Sequence, residues 1–268
     1  MRQLLLVLLS LLAPVSVHAG EVERLYVLDC GFAHAEDQSL WSPGVNVDVP
    51  IDFSDNCYLI RHSSEGYLLW DTGITDRLAA LPQGQPVPPL KQIWYRSQPL
   101  IATLATIGVK PGDIRYVAIS HTHPDHIGNV DAFPDATLIM QRREWEAANA
   151  SPQKPFSAEH KTELLDGDKD LFGDGSLTIL STPGHTMGHQ SLLVHLKKSG
   201  FVLLTGDAAH FQANWDNRRV PRFNADRDKS IASMEKLAHI AEERHAQIWI
   251  NHDKPSSDAR RHAPEFYE

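Results

Sequence analysis

The chain has 268 residues, 25 Lys and Arg against 34 Asp and Glu, a formal charge of −9 and two cysteines. An acidic chain of this kind lacks the clustered positive charge that phosphate binding needs, which argues against nucleic acid as a partner. The length suffices for one large core, and no low-complexity linker divides it.

Met1-Arg2-Gln3, the apolar run Leu4 to Leu12 and the small residues at Val17-His18-Ala19 form the pattern of a secretory signal peptide cleaved after Ala19. The run is shorter than the about 20 apolar residues of a membrane-spanning helix, and no cysteine follows the cleavage site, so no stable membrane anchor is expected. Residues 1–19 are therefore assigned to a signal peptide and 20–268 to one domain, exported to the periplasm or beyond. Losing Arg2 leaves 24 basic against 34 acidic side chains, a charge of −10. Cys30 and Cys57 each lie in an apolar strand-like run; export permits a disulfide, but the reading leans to two buried thiols.

Arg24 to Cys30, Asn56 to Arg61 and Gly66 to Trp70 read as strands, the third ending at Asp71-Thr72-Gly73. That triplet occurs once, so it does not supply the carboxylate pair of an aspartic protease. An Asp at a strand end suits a supporting role, orienting a metal-bound His through its second ring nitrogen. The loop Trp41 to Val47 either lines a pocket or covers the core. Pro82 to Pro89 reads as a loop, a lid or wall, and Lys91 to Ile107 as a helix stopping at Gly108. Strand–helix alternation then continues: strand Tyr116 to Ile119, strand Ala136 to Met140, helix Arg142 to Ala148, strand Ser176 to Leu180, strand Phe201 to Leu204, helix Lys229 to Glu243, and strand Ile248 to Ile250.

Four strand ends carry His or Asp. The strand Tyr116 to Ile119 delivers His121-Thr122-His123-Pro124-Asp125-His126; later ends carry His185 and His189, then Asp207, then His252. His121 and His123, one residue apart in a turning backbone, suit one metal ion, and Asp125 and His126 a second. His185 completes the first site, His252 the second, and the two oxygens of Asp207 bridge them. Nitrogen and oxygen donors without thiolate favour two Zn²⁺ ions, with Fe²⁺ or Mn²⁺ compatible alternatives. Two such ions sharing a water lower its pKa to roughly 7, which points to hydrolysis, with Asp125 placed to shuttle a proton.

HTHPDH at 121–126, the segment Thr182-Pro183-Gly184-His185-Thr186-Met187-Gly188-His189, Gly206-Asp207 and the late His252 resemble the metallo-β-lactamase superfamily. The resemblance spans essentially the whole of residues 20–268. It implies an α/β fold, an αββα sandwich of two facing mixed sheets with outer helices and the metals at one edge, and the same division of ligands. Within that superfamily the chain most resembles the N-acyl homoserine lactonases, through Leu25 to Leu28, Asn56 to Leu59 and Gly184 to Leu192. A small lactone or ester substrate is implied, and a homodimer is compatible with the resemblance. Sixteen residues follow His252 (253–268), too few for the helical region of a glyoxalase II-like thioesterase. Esterase, thioesterase and β-lactam chemistry on the same scaffold, and an exported metal-binding protein without turnover, are the rival readings. One departure stands out: where these lactonases carry a Tyr three residues after the bridging Asp, this chain has His210, which is taken as a catalytic hydrogen-bond donor. His189 is read as supporting or packing. Phe211, Trp215, Trp41, Trp94 and Tyr95 are the aromatic candidates for the mouth, each as readily core as pocket.

Overall fold

A computed structural model describes residues 20–157 and 159–268; the expected signal peptide lies outside the described residues. Among the described residues thirteen strands form: β1 (Val22–Ala35), β2 (Ile51–His62), β3 (Gly66–Trp70), β4 (Gln85–Val87), β5 (Gln92–Tyr95), β6 (Ile114–Ala118), β7 (Thr137–Gln141), β8 (Thr162–Leu165), β9 (Lys169–Asp170), β10 (Leu177–Ser181), β11 (Gln190–Leu196), β12 (Gly200–Leu204) and β13 (Gln247–Trp249). Six α-helices accompany them: α1 (Leu100–Thr106), α2 (Pro124–Ile127), α3 (Arg142–Ala150), α4 (Gln212–Asn217), α5 (Arg227–Arg244) and α6 (Lys254–Asp258). Among the described residues no helix is long and apolar enough to cross a membrane.

Strand alternation builds the layers. Leu25 and Val27 of β1, Leu68 and Trp70 of β3, Leu192 and Val194 of β11, and Val202 and Leu204 of β12 share one central core. The residues between them face outwards: Tyr26, Leu28 and Leu69 pack with Leu100 and Leu104 of α1, whereas Leu193 and Leu203 pack with Met234 and Leu237 of α5. Period-2 side-chain alternation in strands buried on both faces therefore yields the expected helix–sheet–sheet–helix sandwich. The two sheets are not separate ladders. A single parallel pairing, Val22 with Leu196, joins β1 to β11, so the strand order runs β13-β12-β11-β1-β2-β3-β6-β7-β8.

Two sequence expectations need correction. Lys91 to Ile107 is not one helix: Gln92–Tyr95 is a strand on β1, and the helix begins only after Pro99, whose ring fixes φ and cannot donate into a preceding turn. Cys30 and Cys57 are not free thiols; they form a disulfide. Antiparallel pairing of Asp29 with Asn56 sets the two cysteines diagonally across the β1–β2 ladder with Cα atoms 5.7 Å apart, within bridging range. Thiol titration of the unfolded protein is thus expected to find none. Closing a segment with a sequence separation of 27 contributes roughly 3 kcal/mol, so Cys57→Ser should lower the denaturation midpoint accordingly.

Candidate metal centre and cavity

The ends of β3, β6, β10, β12 and β13 meet at one edge of the sandwich, and each hands its next residues to the same point. His121, His123, His185 and Asp207 form one group and Asp125, His126 and His252 another, each with candidate donor atoms within 4.8 Å of one another. The structure brings together all seven residues named from the sequence as candidate ligands, with Asp207 grouped with His121, His123 and His185. Asp207 lies between the groups: its Oδ1 is 3.1 Å from His252 Nε2 and 3.3 Å from His126 Nε2, and its Oδ2 is 3.3 Å from His185 Nε2. Asp125, at the first turn of α2, is 3.9 Å from His252 Nε2.

In four of the five candidate-ligand histidines the ring nitrogen facing away from the cluster is held. His126 Nδ1 donates to Asp71 Oδ2 (2.9 Å), His252 Nδ1 to the Ser54 carbonyl (2.8 Å), and His185 Nδ1 to Asn224 Oδ1 (3.0 Å). Ser120 Oγ, itself donating to Asp71 Oδ2, accepts from His121 Nδ1 at 3.1 Å. A proton fixed on Nδ1 leaves the Nε2 lone pair pointing inwards, which is the tautomer a metal ligand needs. Burial first, then neighbouring imidazoles, pushes His121 well below the ordinary histidine range; burial does the same to His185. Burial would raise Asp207, but His252, His126 and His210 outweigh it and hold its carboxyl well below the usual carboxylate range.

These residues fit two divalent cations. His126 Nε2 and Asp207 Oδ1 are buried without a hydrogen-bond partner, although buried polar atoms are nearly always satisfied. His123 Nδ1 is 2.9 Å from both His121 Nε2 and His185 Nε2, a convergence of nitrogens that a shared cation explains and a proton network alone does not.

Asp71 takes the supporting role expected of it. Besides His126, it accepts from the Ser120 backbone N–H at 2.7 Å, and it does so at φ 58°, a left-handed conformation disfavoured for a non-glycine residue. Asp71→Asn is expected to weaken metal affinity about 10–100-fold, read by competition with a chromophoric chelator. An unchanged affinity would mean that Asp71 only holds the strand end. His189 likewise supports the cluster: its Nε2 accepts the Asp207 N–H at 2.9 Å while Nδ1 donates to Thr182, and burial lowers its pKa to about 4. Gly206 must be small here, since a Cβ would stand 2.8 Å from His189 Nε2 and φ is +53°.

Sequence reasoning missed two carboxylates. Glu144 of α3 is buried and accepts from Thr122 N–H (2.8 Å), Thr122 Oγ1 (2.7 Å), Thr186 Oγ1 (2.7 Å) and Gly188 N–H (3.1 Å), locking the 121–126 and 185–189 loops together. Asp55 accepts the Ile74 N–H at 2.8 Å, and burial pushes its pKa up to about 7. Neither has a spacing signal: nothing in the sequence sets Glu144 apart from Glu146 on α3, or Asp55 from Asp52 on β2.

A cavity of about 430 Å³ opens onto the cluster. Asp125, Asp207, His210 and His252 form its polar end, and Trp41, Phe53, Leu90 and Trp94 belong to its apolar wall. Of the aromatic candidates, Trp41 and Trp94 reach it. The other three do not: Tyr95 stacks on Phe32 at 4.6 Å, Phe211 packs behind Phe53 at 4.9 Å, and Trp215 joins the core beneath α5. Phe53 and Phe223 take their places in the lining. The Pro82–Pro89 segment contributes Val87 and Pro89, so it is a wall, built partly as strand β4. His210 stands at the junction of the two regions, with Nε2 3.3 Å from Asp207 Oδ2.

Residues 51–244 match the model of the Metallo-beta-lactamase superfamily. The N-acyl homoserine lactonase AttM of Azorhizobium caulinodans is 33% identical over 264 residues, covering 91% of this chain and 98% of the relative. The N-acyl homoserine lactonase AiiA of Bacillus thuringiensis subsp. kurstaki is 29% identical over 259 residues, covering 91% and 99%. Among solved structures, a mutant of B. thuringiensis AiiA with N-decanoyl-L-homoserine bound at its active site superposes with a TM-score of 0.81 at 27% identity, covering 92% of this chain and 99% of that one. An N-acyl homoserine lactone hydrolase with the product N-hexanoyl-L-homoserine at its catalytic metal centre gives the same TM-score, identity and coverage.

Proposed function

Because this chain belongs to the metallo-β-lactamase superfamily, we propose that it is a dinuclear metal hydrolase that opens the lactone ring of N-acyl homoserine lactones. The observation that carries the reading is the seven-residue His and Asp cluster at the head of an apolar cavity, in a chain similar along nearly its whole length to lactonases. His121, His123, His185 and Asp207 would hold one cation, and Asp125, His126, His252 and Asp207 the other. Zn²⁺ suits donors that are nitrogen and oxygen only, and Fe²⁺ and Mn²⁺ share that preference in part. When bound, such a pair supplies Lewis acidity towards a carbonyl and lowers the pKa of water to about 7.

The protein's own residues do the rest. The apolar wall takes the acyl chain and excludes water, leaving the lactone ring towards the polar end. Water adds to the ring carbonyl carbon, the ring C–O bond breaks, and the ring oxygen leaves as a hydroxyl after receiving a proton. Asp125, at the cavity margin, relays that proton. His210 offers Nε2–H to the carbonyl oxygen as negative charge develops there. The product is an N-acyl homoserine.

The test is a substrate panel with zinc-loaded protein, following proton release from lactones of several acyl lengths, thioesters, aryl esters and β-lactams. A lactone should give the highest kcat/KM. Thioesters or β-lactams outrunning every lactone by more than about tenfold would move the enzyme to a rival chemistry on the same scaffold. Metal analysis should return two equivalents per chain. The N-terminal pattern Leu4 to Leu12 followed by Val17-His18-Ala19 supports export with cleavage after Ala19, and N-terminal sequencing of the protein from the medium or periplasm should begin at Gly20.

A further inference from the structure

β5 contributes two side chains to the cavity. Gln92 pairs with Ala35 and Val87, and Trp94 with Ala33 and Gln85, so positions 92 and 94 share a strand face, and both line the cavity together with Ala33 and Val87. Gln92 is 6% exposed. Trp94 Nε1 donates to Gln92 Oε1 at 2.7 Å. An indole N–H can only donate, so the atom facing it is the amide oxygen, and the orientation of the carboxamide is settled by chemistry. The Gln92 NH2 group is left without a partner among the described residues.

The remaining polar lining has other work. Outside the metal cluster, His210 and the Trp41 indole, Ser54 Oγ already donates to the Asn251 carbonyl at 2.7 Å, and Asp55 accepts from Ile74 and Asn251. Gln92 therefore presents an oriented donor to the cavity within a wall otherwise formed by Val87, Pro89, Leu90 and Trp94. A donor that a ligand buries and leaves unpaired costs more than a made bond contributes, so a site with such a group discriminates strongly against ligands lacking the acceptor.

Resting on the lactonase reading, we propose that Gln92 is a specificity-determining residue: its Nε2 donates to the amide carbonyl oxygen of the acyl group, with the Trp94 indole as the clamp that aims it. The enzyme thereby selects lactones bearing an N-acyl substituent over alkyl lactones of equal bulk.

Equilibrium binding tests this separately from turnover. The ring-opened product N-hexanoyl homoserine and an α-alkyl-γ-hydroxybutyrate of similar length but no amide, neither of which the enzyme turns over, are titrated into metal-loaded wild type, Gln92→Glu, Gln92→Met and Trp41→Phe proteins, with the hydrolysis of N-hexanoyl homoserine lactone by the wild type measured in parallel. Gln92→Glu retains an acceptor for Trp94 and, when ionised, has no donor; Gln92→Met removes both. Both are expected to weaken the N-acyl ligand about tenfold and to leave the amide-free ligand within about twofold. Equal losses on both ligands, or no loss on either, overturn the proposal. A selective loss in Trp41→Phe with none in the Gln92 variants overturns it in favour of the Trp41 indole. Wild-type protein that binds the N-acyl ligand through Gln92 but never hydrolyses the parent lactone overturns the lactonase reading and leaves the recognition role standing.

Discussion

Replacing Asp207 by alanine is expected to lower kcat by about 10³-fold or more and to reduce bound metal below two equivalents per chain. Asp207 is the carboxylate that lies between the two groups, with His252, His126, His185 and His210 nitrogens 3.1–3.3 Å away and His121 Nε2 at 3.8 Å. Its removal leaves buried imidazoles without a counter-charge and parts the two halves of the site. Metal-assisted charge stabilisation is worth several kcal/mol, and about 4 kcal/mol corresponds to 10³-fold in rate. Asp207→Asn keeps the shape and loses the charge, so it should resemble the alanine variant in kcat. Chelation of the wild type should abolish turnover and lower Tm, because bound cations stabilise the native state by mass action, and zinc should restore both. An Asp207→Ala enzyme that keeps two equivalents and turns over within tenfold of wild type would show that the two groups do not act as one centre.

What the sequence exposes and what it hides follows from the range of the interactions. His121, His123, Asp125 and His126 are legible because their ligand geometry is local: close spacing at a strand end commits them to one point. His185, Asp207 and His252 follow because alternating strands and helices bring successive strand ends to one edge. Asp71 is readable for the same reason, as an acid that terminates β3 beside the histidine packet. Glu144, Asp55 and Gln92 are not readable. Glu144 is one acid on a short helix, and its function exists only once the 121–126 and 185–189 loops fold over it. Gln92 acquires its donor role from a neighbour two residues on and from the placement of β5 against β1, in a stretch whose apolar spacing suits strand and helix equally until Pro99 intervenes. The disulfide depends on strand pairing in the same way: Cys30 and Cys57 look like ordinary buried thiols until β1 and β2 are set in register. Among the aromatics, residue size is no guide. Phe53 and Phe211 touch each other, yet only Phe53 meets the cavity.

His210→Phe is expected to separate catalysis from stability, lowering kcat by at least about tenfold while leaving Tm unchanged or raised. His210 lines the cavity beside the cluster. His210 stands outside both ligand groups, so a proton on its Nε2, 3.3 Å from Asp207 Oδ2, is a donor it can offer to a substrate oxygen. Loss of one such donor costs about 10²–10³ in kcat where it acts fully and about tenfold at the lower end. The other nitrogen, Nδ1, is buried with no partner, and burial lowers the imidazole's pKa. An unsatisfied polar atom of this kind destabilises the fold, so an aromatic ring of similar shape removes a penalty of roughly 1–3 kcal/mol. A residue kept only for packing would be improved by that change; one kept for chemistry pays in turnover. His210→Tyr should then recover most of kcat, since its hydroxyl restores a donor at the cavity margin. Unchanged kinetics in His210→Phe would remove the residue from the mechanism, and a Tm that falls in step with kcat would reduce it to a structural element.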